Sequence, residues 1–272
     1  MTNGSPTVAR RALGTTLRNH REALGISRSA AGLHIGYAHQ TIQRIEEGVQ
    51  ATRPHQVQGL CDLYGVPPAQ RAELERWAKE GAKRGWWEQY REGVPPETRA
   101  FVEAEAEMAT LQSLELEHIP GLLQTDDYLQ AVQAALLPMP PERVKAIRWL
   151  RHHRQERVFA RTPLPRMTML IGRSALWYLD GLGEVGDRQR KRIIEVSQMP
   201  GADIRVITEL HPAMVGAFTI ITPGPPIPGP PFVFVDSVDG GRYEEKRDVV
   251  SLYERTFAAA LKCTIPFEEY LK

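Results

Sequence analysis

Cysteine is scarce in this chain, with only Cys61 and Cys263 among 272 residues. They stand far apart in apolar settings, which excludes a disulfide framework or a zinc-type spacing. Two buried thiols in a reducing cytoplasm are expected instead. No apolar run approaches the ~18 residues of a membrane span, and the N-terminus, MTNGSPTVARR, lacks the hydrophobic core of a secretory signal. Also absent are Gly-x-Ser-x-Gly, His-Glu-x-x-His, the phosphate-binding Gly-x-x-x-x-Gly-Lys and the dinucleotide glycine fingerprint. Gly181, Gly183 and Gly186 have the wrong intervals for such a loop. His152 and His153 are adjacent and cannot share a metal from one helix face. Glu103, Glu105 and Glu107 point to different sides of a helix and read as a solvated acidic surface. No catalytic residue, metal ligand or cofactor is therefore nominated, and the expectation is a protein that is not an enzyme.

Net charge is nearly absent too, at +1, but it is unevenly spread. Residues 1–85 hold 12 Lys+Arg against 7 Asp+Glu, a balance of +5, and the remainder holds 22 against 26, or −4. A basic head on an acidic body suits a module that meets a polyanion, joined to one that must stay off it. The length exceeds what one small helical module needs, and a division at 1–84 and 85–272 is expected.

The most informative stretch is Gly25 to Gly48, GISRSAAGLHIGYAHQTIQRIEEG. Ser27 is a good N-cap for a short helix bearing Ala30, Ala31 and Leu33 on its apolar side. Gly36 can take the positive φ that ends it. A second helix starts near Ala38, with Ile42 and Ile45 as its buried stripe. His39, Gln40, Thr41, Gln43 and Arg44 lie outside that stripe. Before this pair, Leu13, Leu17 and Leu24 recur at helical spacing, with Arg10, Arg11, Arg18 and Arg21 opposite. After it, helices are expected near 55–64 (Val57, Leu60, Cys61 and Tyr64 inward) and 67–83 (Leu74, Trp77 and Ala78 inward).

These residues resemble the helix-turn-helix of phage-repressor-type (XRE, Cro-like) regulators. The likeness rests on Gly25-Ile26-Ser27, the Leu33-x-Ile35-Gly36 turn and Thr41-Ile42-x-Arg44-Ile45-Glu46-x-Gly48. Gly32 departs from the alanine usual there, and Ser29 and Ala30 replace an acidic pair. The resemblance implies that residues 38–46 enter a DNA major groove. His39, Gln40, Thr41, Gln43 and Arg44 would then meet base edges, and Ser27, Arg28, Arg10, Arg11 and Arg53 would meet phosphates. Glu46 is expected to make a structural hydrogen bond or ion pair rather than to touch DNA. A homodimer on an inverted repeat of double-stranded DNA is implied, in the cytoplasm.

Beyond residue 85 the pattern is mixed. Helices are expected over 96–116, after Thr125, over 141–161, near 187–198 and over 246–261. Short β-rich runs lie at 167–171, 204–207, 218–221 and 232–235, with a hairpin turn between 235 and 243 and a proline-rich excursion at 223–231. The fold class is thus an all-α helix-turn-helix domain of about five helices plus a mixed α+β C-terminal domain. Gly85-Trp86-Trp87, Glu103-Ala104-Glu105-Ala106 and Pro-Gly-Leu-Leu-Gln-Thr-x-x-Tyr (120–128) together resemble a domain of unknown function that follows such helix-turn-helices in many actinomycete regulators. That likeness implies a transcription factor, often encoded beside a small partner protein, without assigned catalytic residues. Trp86 and Trp87 read as an interdomain joint or a ligand platform. Arg148, Arg151, Arg154 and Arg157 recur every third residue and read as a solvated face partly paired with the glutamates before it, or as a site for phosphate, an acidic partner or an anionic effector. Two roles stay open for this domain, sensing a small molecule or binding a small protein encoded nearby.

Overall fold

The computed structural model describes residues 6–83, 85, 96–214, 216–225, 229–237 and 240–272. It divides into one unit of residues 1–89 with 224–230 and a second of 90–223 with 231–272.

The first unit holds five helices: α1 (Pro6–Ala23), α2 (Arg28–Ile35), α3 (His39–Glu46), α4 (Pro54–Tyr64) and α5 (Pro68–Gly81). Leu13 and Leu17, Ile42 and Ile45, Val57, Leu60, Cys61 and Tyr64, and Leu74, Trp77 and Ala78 close one core, as their periodicity requires. Burial pushes the Cys61 thiol up to about 11, so it packs as a small apolar group; Cys263 is half-buried rather than buried, and both are free. Ser27 caps α2, its Oγ accepting from the Ala30 amide at 3.1 Å. Gly36 ends that helix in the left-handed region at φ 75°.

Three expectations here are corrected. Leu24 lies past the end of α1 and is exposed. Leu33 is 83% exposed, because α2 turns Ala31 and Gly32 inward instead. That inward face has no room for a side chain: a Cβ on Gly32 would lie 2.5 Å from the Tyr37 carbonyl oxygen. Arg21, expected on a solvated face, is buried.

The second unit begins with α6 (Pro96–Glu107) and β1 (Met108–Glu115). A 3-10 turn (Gly121–Leu123), α7 (Asp126–Ala135) and α8 (Pro141–Phe159) lead to β2 (Arg166–Gly172). Then follow α9 (Arg173–Asp180), α10 (Glu184–Ser197), β3 (Ala202–Ile207), β4 (Phe218–Pro223), β5 (Phe232–Val235), β6 (Arg242–Glu244), α11 (Arg247–Leu261), β7 (Thr264–Pro266) and α12 (Phe267–Tyr270). The strands form one sheet in the order β6-β5-β4-β1-β2-β3-β7. β1, β2 and β3 run parallel, linked by helical crossovers, while β4, β5, β6 and β7 add antiparallel. Leu114, Leu170, Phe218, Ile220 and Val233 pack with Val250, Phe257 and Ala260 of α11. Their alternates Leu111, Met169, Ile171 and Val206 are buried as well, so the central strands are covered on both faces.

The expected helix over 96–116 stops at Glu107, and its second half is the central strand β1. Thr110, Gln112 and Ser113 make this segment more polar than a central strand ordinarily is. Pairing with β2 on one side and β4 on the other overrides the local pattern, and the Ser113 hydroxyl lies 3.3 Å from that of Thr219 on β4. α9, β7 and α12 are further elements that the sequence pattern did not announce.

Candidate nucleic-acid interface and effector pocket

α3 is eight residues, about 12 Å long, close to the ~12 Å width of a DNA major groove. Ile42 and Ile45 are buried, which turns His39, Gln40 and Arg44 to solvent and leaves Thr41 and Gln43 half-buried. The side chains of His39, Gln40, Thr41 and Arg44 have no hydrogen-bond or ion-pair partner among the described residues. Gln43 is partly engaged, its amide donating to Glu47 at 2.9 Å.

What holds this ridge is a charge cluster beneath it. Glu46, at the end of α3, is 2% exposed and accepts from Arg21 Nε at 2.5 Å and Arg21 Nη2 at 3.0 Å. Its Oε2 also accepts from Arg28 Nε at 2.8 Å, while Arg21 Nη1 donates to the Ile26 carbonyl at 2.9 Å. One carboxylate thus fastens α1, the start of α2 and the end of α3 together. The bonds to Glu46 hold the Arg21 guanidinium above the usual arginine range despite its burial.

The residues expected at phosphates are differently disposed. Ser27 is exposed but serves as the α2 cap. Arg28 is tied through Nε to Glu46, which leaves its Nη groups as the donors. Arg10 Nε donates to the Gly81 carbonyl at 2.5 Å, so its guanidinium closes the C-terminal end of α5 and leaves the expected phosphate set. Arg11 is half-buried against Gly48, just past α3. Arg53 is exposed at the start of α4, its backbone amide donating to Gln56 at 2.9 Å.

In the second unit the arginine stripe of α8 is solvated only in part: Arg157 is exposed and Arg148 half-buried, while Arg154 is buried in a pair with one of the glutamates before it. The buried line of α8 is Ala146, Leu150, Arg154 and Val158, at intervals of four. Arg154 makes two 2.7 Å bonds to the Glu105 carboxylate and lies over the Phe101 ring at 5.1 Å. It is therefore a core ion pair and not a partner-facing group. Glu103 and Glu105, expected in solvent, are 0% and 1% exposed, because α6 packs against α8. Arg148 is held by Asp126, with bonds of 2.9 and 2.5 Å. Those bonds hold the Asp126 carboxyl below the usual carboxylate range. Trp86 and Trp87 lie outside the described residues.

Arg151 differs from both neighbours. Its Nε is buried without a partner, and no hydrogen bond or ion pair joins it to any described residue. Burial, with repulsion from Arg154, pushes it down to about 9. Burial likewise pushes the Glu115 carboxyl, at the end of β1, up to about 7 in spite of Arg151.

Residues 12–74 match a family described as a helix-turn-helix domain, spanning most of α1 to α5. Residues 98–269 match the family described as domain of unknown function (DUF5753), which covers more than half of the chain. The chain belongs to the DUF5753 family. No curated protein and no solved structure gives a significant match. In this DUF5753 protein the matched region takes in the whole seven-stranded sheet and the pocket of Arg151, and the helix-turn-helix supports a DNA-binding regulator. No described helix is long and apolar enough to cross a membrane.

Proposed function

We propose that the protein is a sequence-specific transcriptional regulator that lays α3 in the major groove, with the DUF5753 unit serving as its effector and dimerisation part rather than as an enzyme. The observation that carries this reading is the outward ridge of α3, where His39, Gln40 and Arg44 have no partner among the described residues while Glu46 anchors the helix from beneath. Arg44 is suited to guanine and Gln40 to adenine, each such pair giving roughly 1–3 kcal/mol of discrimination. Thr41 and Gln43 stand at the edge of the ridge. Arg28, Arg11 and Arg53 then meet phosphates, which fix register without reading sequence. One short helix covers few base pairs, so a homodimer on an inverted repeat, with half-sites about one DNA turn apart, follows in the cytoplasm.

The test is selection of bound duplexes by the purified protein, repeated with Arg44→Ala. A preferred inverted repeat that loses its preference at one base pair per half-site is the expected result. If the wild type binds all duplexes alike at moderate salt, or Arg44→Ala keeps both affinity and preference, the reading falls. A small protein partner is the second reading. Exposed apolar side chains on the second unit favour it, notably Leu137, Trp177 and Leu210 at 86%, 69% and 84%. The arginine stripe no longer does, since Arg154 is internal.

A further inference from the structure

Gln124, α7 and α8 border an open cavity of about 240 Å³, lined by Gln124, Asp126, Leu129, Arg148, Arg151, His152 and Gln155. Its basic side chains differ in their partners. Arg148 is paired with Asp126, and His152 lies 3.1 Å from Glu156. Among the described residues Arg151 makes no direct hydrogen bond or ion pair, and the Glu105, Glu115 and Asp236 carboxyls act on it only through space. Beside it, the Gln124 Oε1 is buried without a donor, although its Nε2 donates to the Ile119 carbonyl at 2.7 Å. The wall is fixed in place, because Gln155 Nε2 donates to the carbonyls of Gly121 at 3.2 Å and Gln124 at 2.7 Å.

The Pro-Gly-Leu-Leu-Gln-Thr segment is shaped around the arginine. A Cβ on Gly121 would fall 1.5 Å from Arg151 Nη1, so only glycine leaves room for the guanidinium there. A buried guanidinium Nε–H without a partner is costly, and the cavity far exceeds the roughly 10–15 Å³ that one water needs.

We propose that this cavity binds a small metabolite carrying a single oxyanion, carboxylate or phosphate, which the Arg151 guanidinium grips. Leu129 supplies apolar contact for the body of the ligand. The Arg151 guanidinium is the cationic donor that takes the anionic group, and about 240 Å³ suits a small molecule. The inference rests on the reading of the DUF5753 unit as the effector part, and it gives that part a ligand class and a site.

The test uses the full chain without DNA. Its thermal unfolding is followed against inorganic phosphate in one arm and acetate in the other, each matched in ionic strength with sodium chloride. A saturable rise in Tm with either anion, weakened about tenfold or more in Arg151→Met, is expected from loss of a charge-assisted hydrogen bond. The arm that responds identifies the headgroup. In anion-free buffer Arg151→Met should melt no lower than wild type, because it removes an unpartnered buried donor. Gly121→Ala is the second variant. It keeps the charge but displaces the flexible end of Arg151, and it should lose the anion response with the fold intact. No response to either anion beyond chloride, or a response that survives in both variants, overturns the proposal. Duplex affinity is then measured with and without saturating anion: a response lost in the variants but without effect on DNA binding upholds the site and removes the effector reading.

Discussion

Arg21 in the first unit is buried and Arg151 in the second is half-buried with its Nε inside, and their surroundings are opposite. Arg21 is surrounded by acceptors: both Glu46 oxygens, the Ile26 carbonyl and Glu22. Arg151 has a buried Nε with nothing to donate to and an open cavity beside it. A satisfied buried charge fixes a structure, whereas an unsatisfied one marks where something is missing. The first unit accordingly carries its candidate chemistry on exposed side chains held from below. The second carries it in its interior.

The sharpest way to break the comparison is Glu46→Ala. It strands Arg21 in the core, and stability should fall by about 3–5 kcal/mol in denaturant unfolding. Glu105→Ala, which strands Arg154, should cost a similar amount. An Arg151→Ala change that cost as much would erase the distinction drawn here.

Next in size is Gly32→Ala. Helix propensity favours alanine by roughly 0.5–1 kcal/mol. The 2.5 Å approach to the Tyr37 carbonyl reverses that sign, and a net loss of about 1–3 kcal/mol is expected in thermal unfolding. A gain in stability would mean that α2 does not sit this close to the turn.

Glu115 gives a pH signature. Its carboxyl is raised from 4.5 to about 7 in the fold, so the folded chain binds that proton more tightly than the unfolded chain. Its stabilising contribution is full below the unfolded value and is lost as pH rises through about 7. Wild type should therefore lose stability relative to Glu115→Gln between pH 4.5 and 7. Parallel pH profiles for the two would contradict the burial argument.

The smallest effect belongs to Arg28→Ala. It removes a half-exposed partner from Glu46 while Arg21 remains, so unfolding should change little. Binding should weaken alike for all duplexes, with the salt slope reduced by about 1. A sequence-dependent loss would move Arg28 into the base-reading set.

Much of the first unit was legible because its signals are local. The Ser27 cap, the Gly36 stop and the Ile42/Ile45 stripe need only residues within a turn or two, and each appears in the structure as read. The misreadings share a cause. Leu33, Arg21, Glu105 and Arg154 were judged by residue type, whereas their burial is set by partners 25 to 49 positions away or by the tightness of a helix approach. The β1 segment failed for the same reason, since its strand state comes from β2 and β4.

By itself, then, the sequence determined the five-helix module, its outward polar ridge and the family of the remainder, since capping, periodicity and spaced motifs act over short range. Only the tertiary structure decided that Glu46 clamps two arginines, that the second half of an expected helix becomes a central strand, and that one arginine of four has no partner among the described residues beside a cavity. Charge satisfaction depends on which distant groups arrive within hydrogen-bonding reach, and no local pattern encodes that.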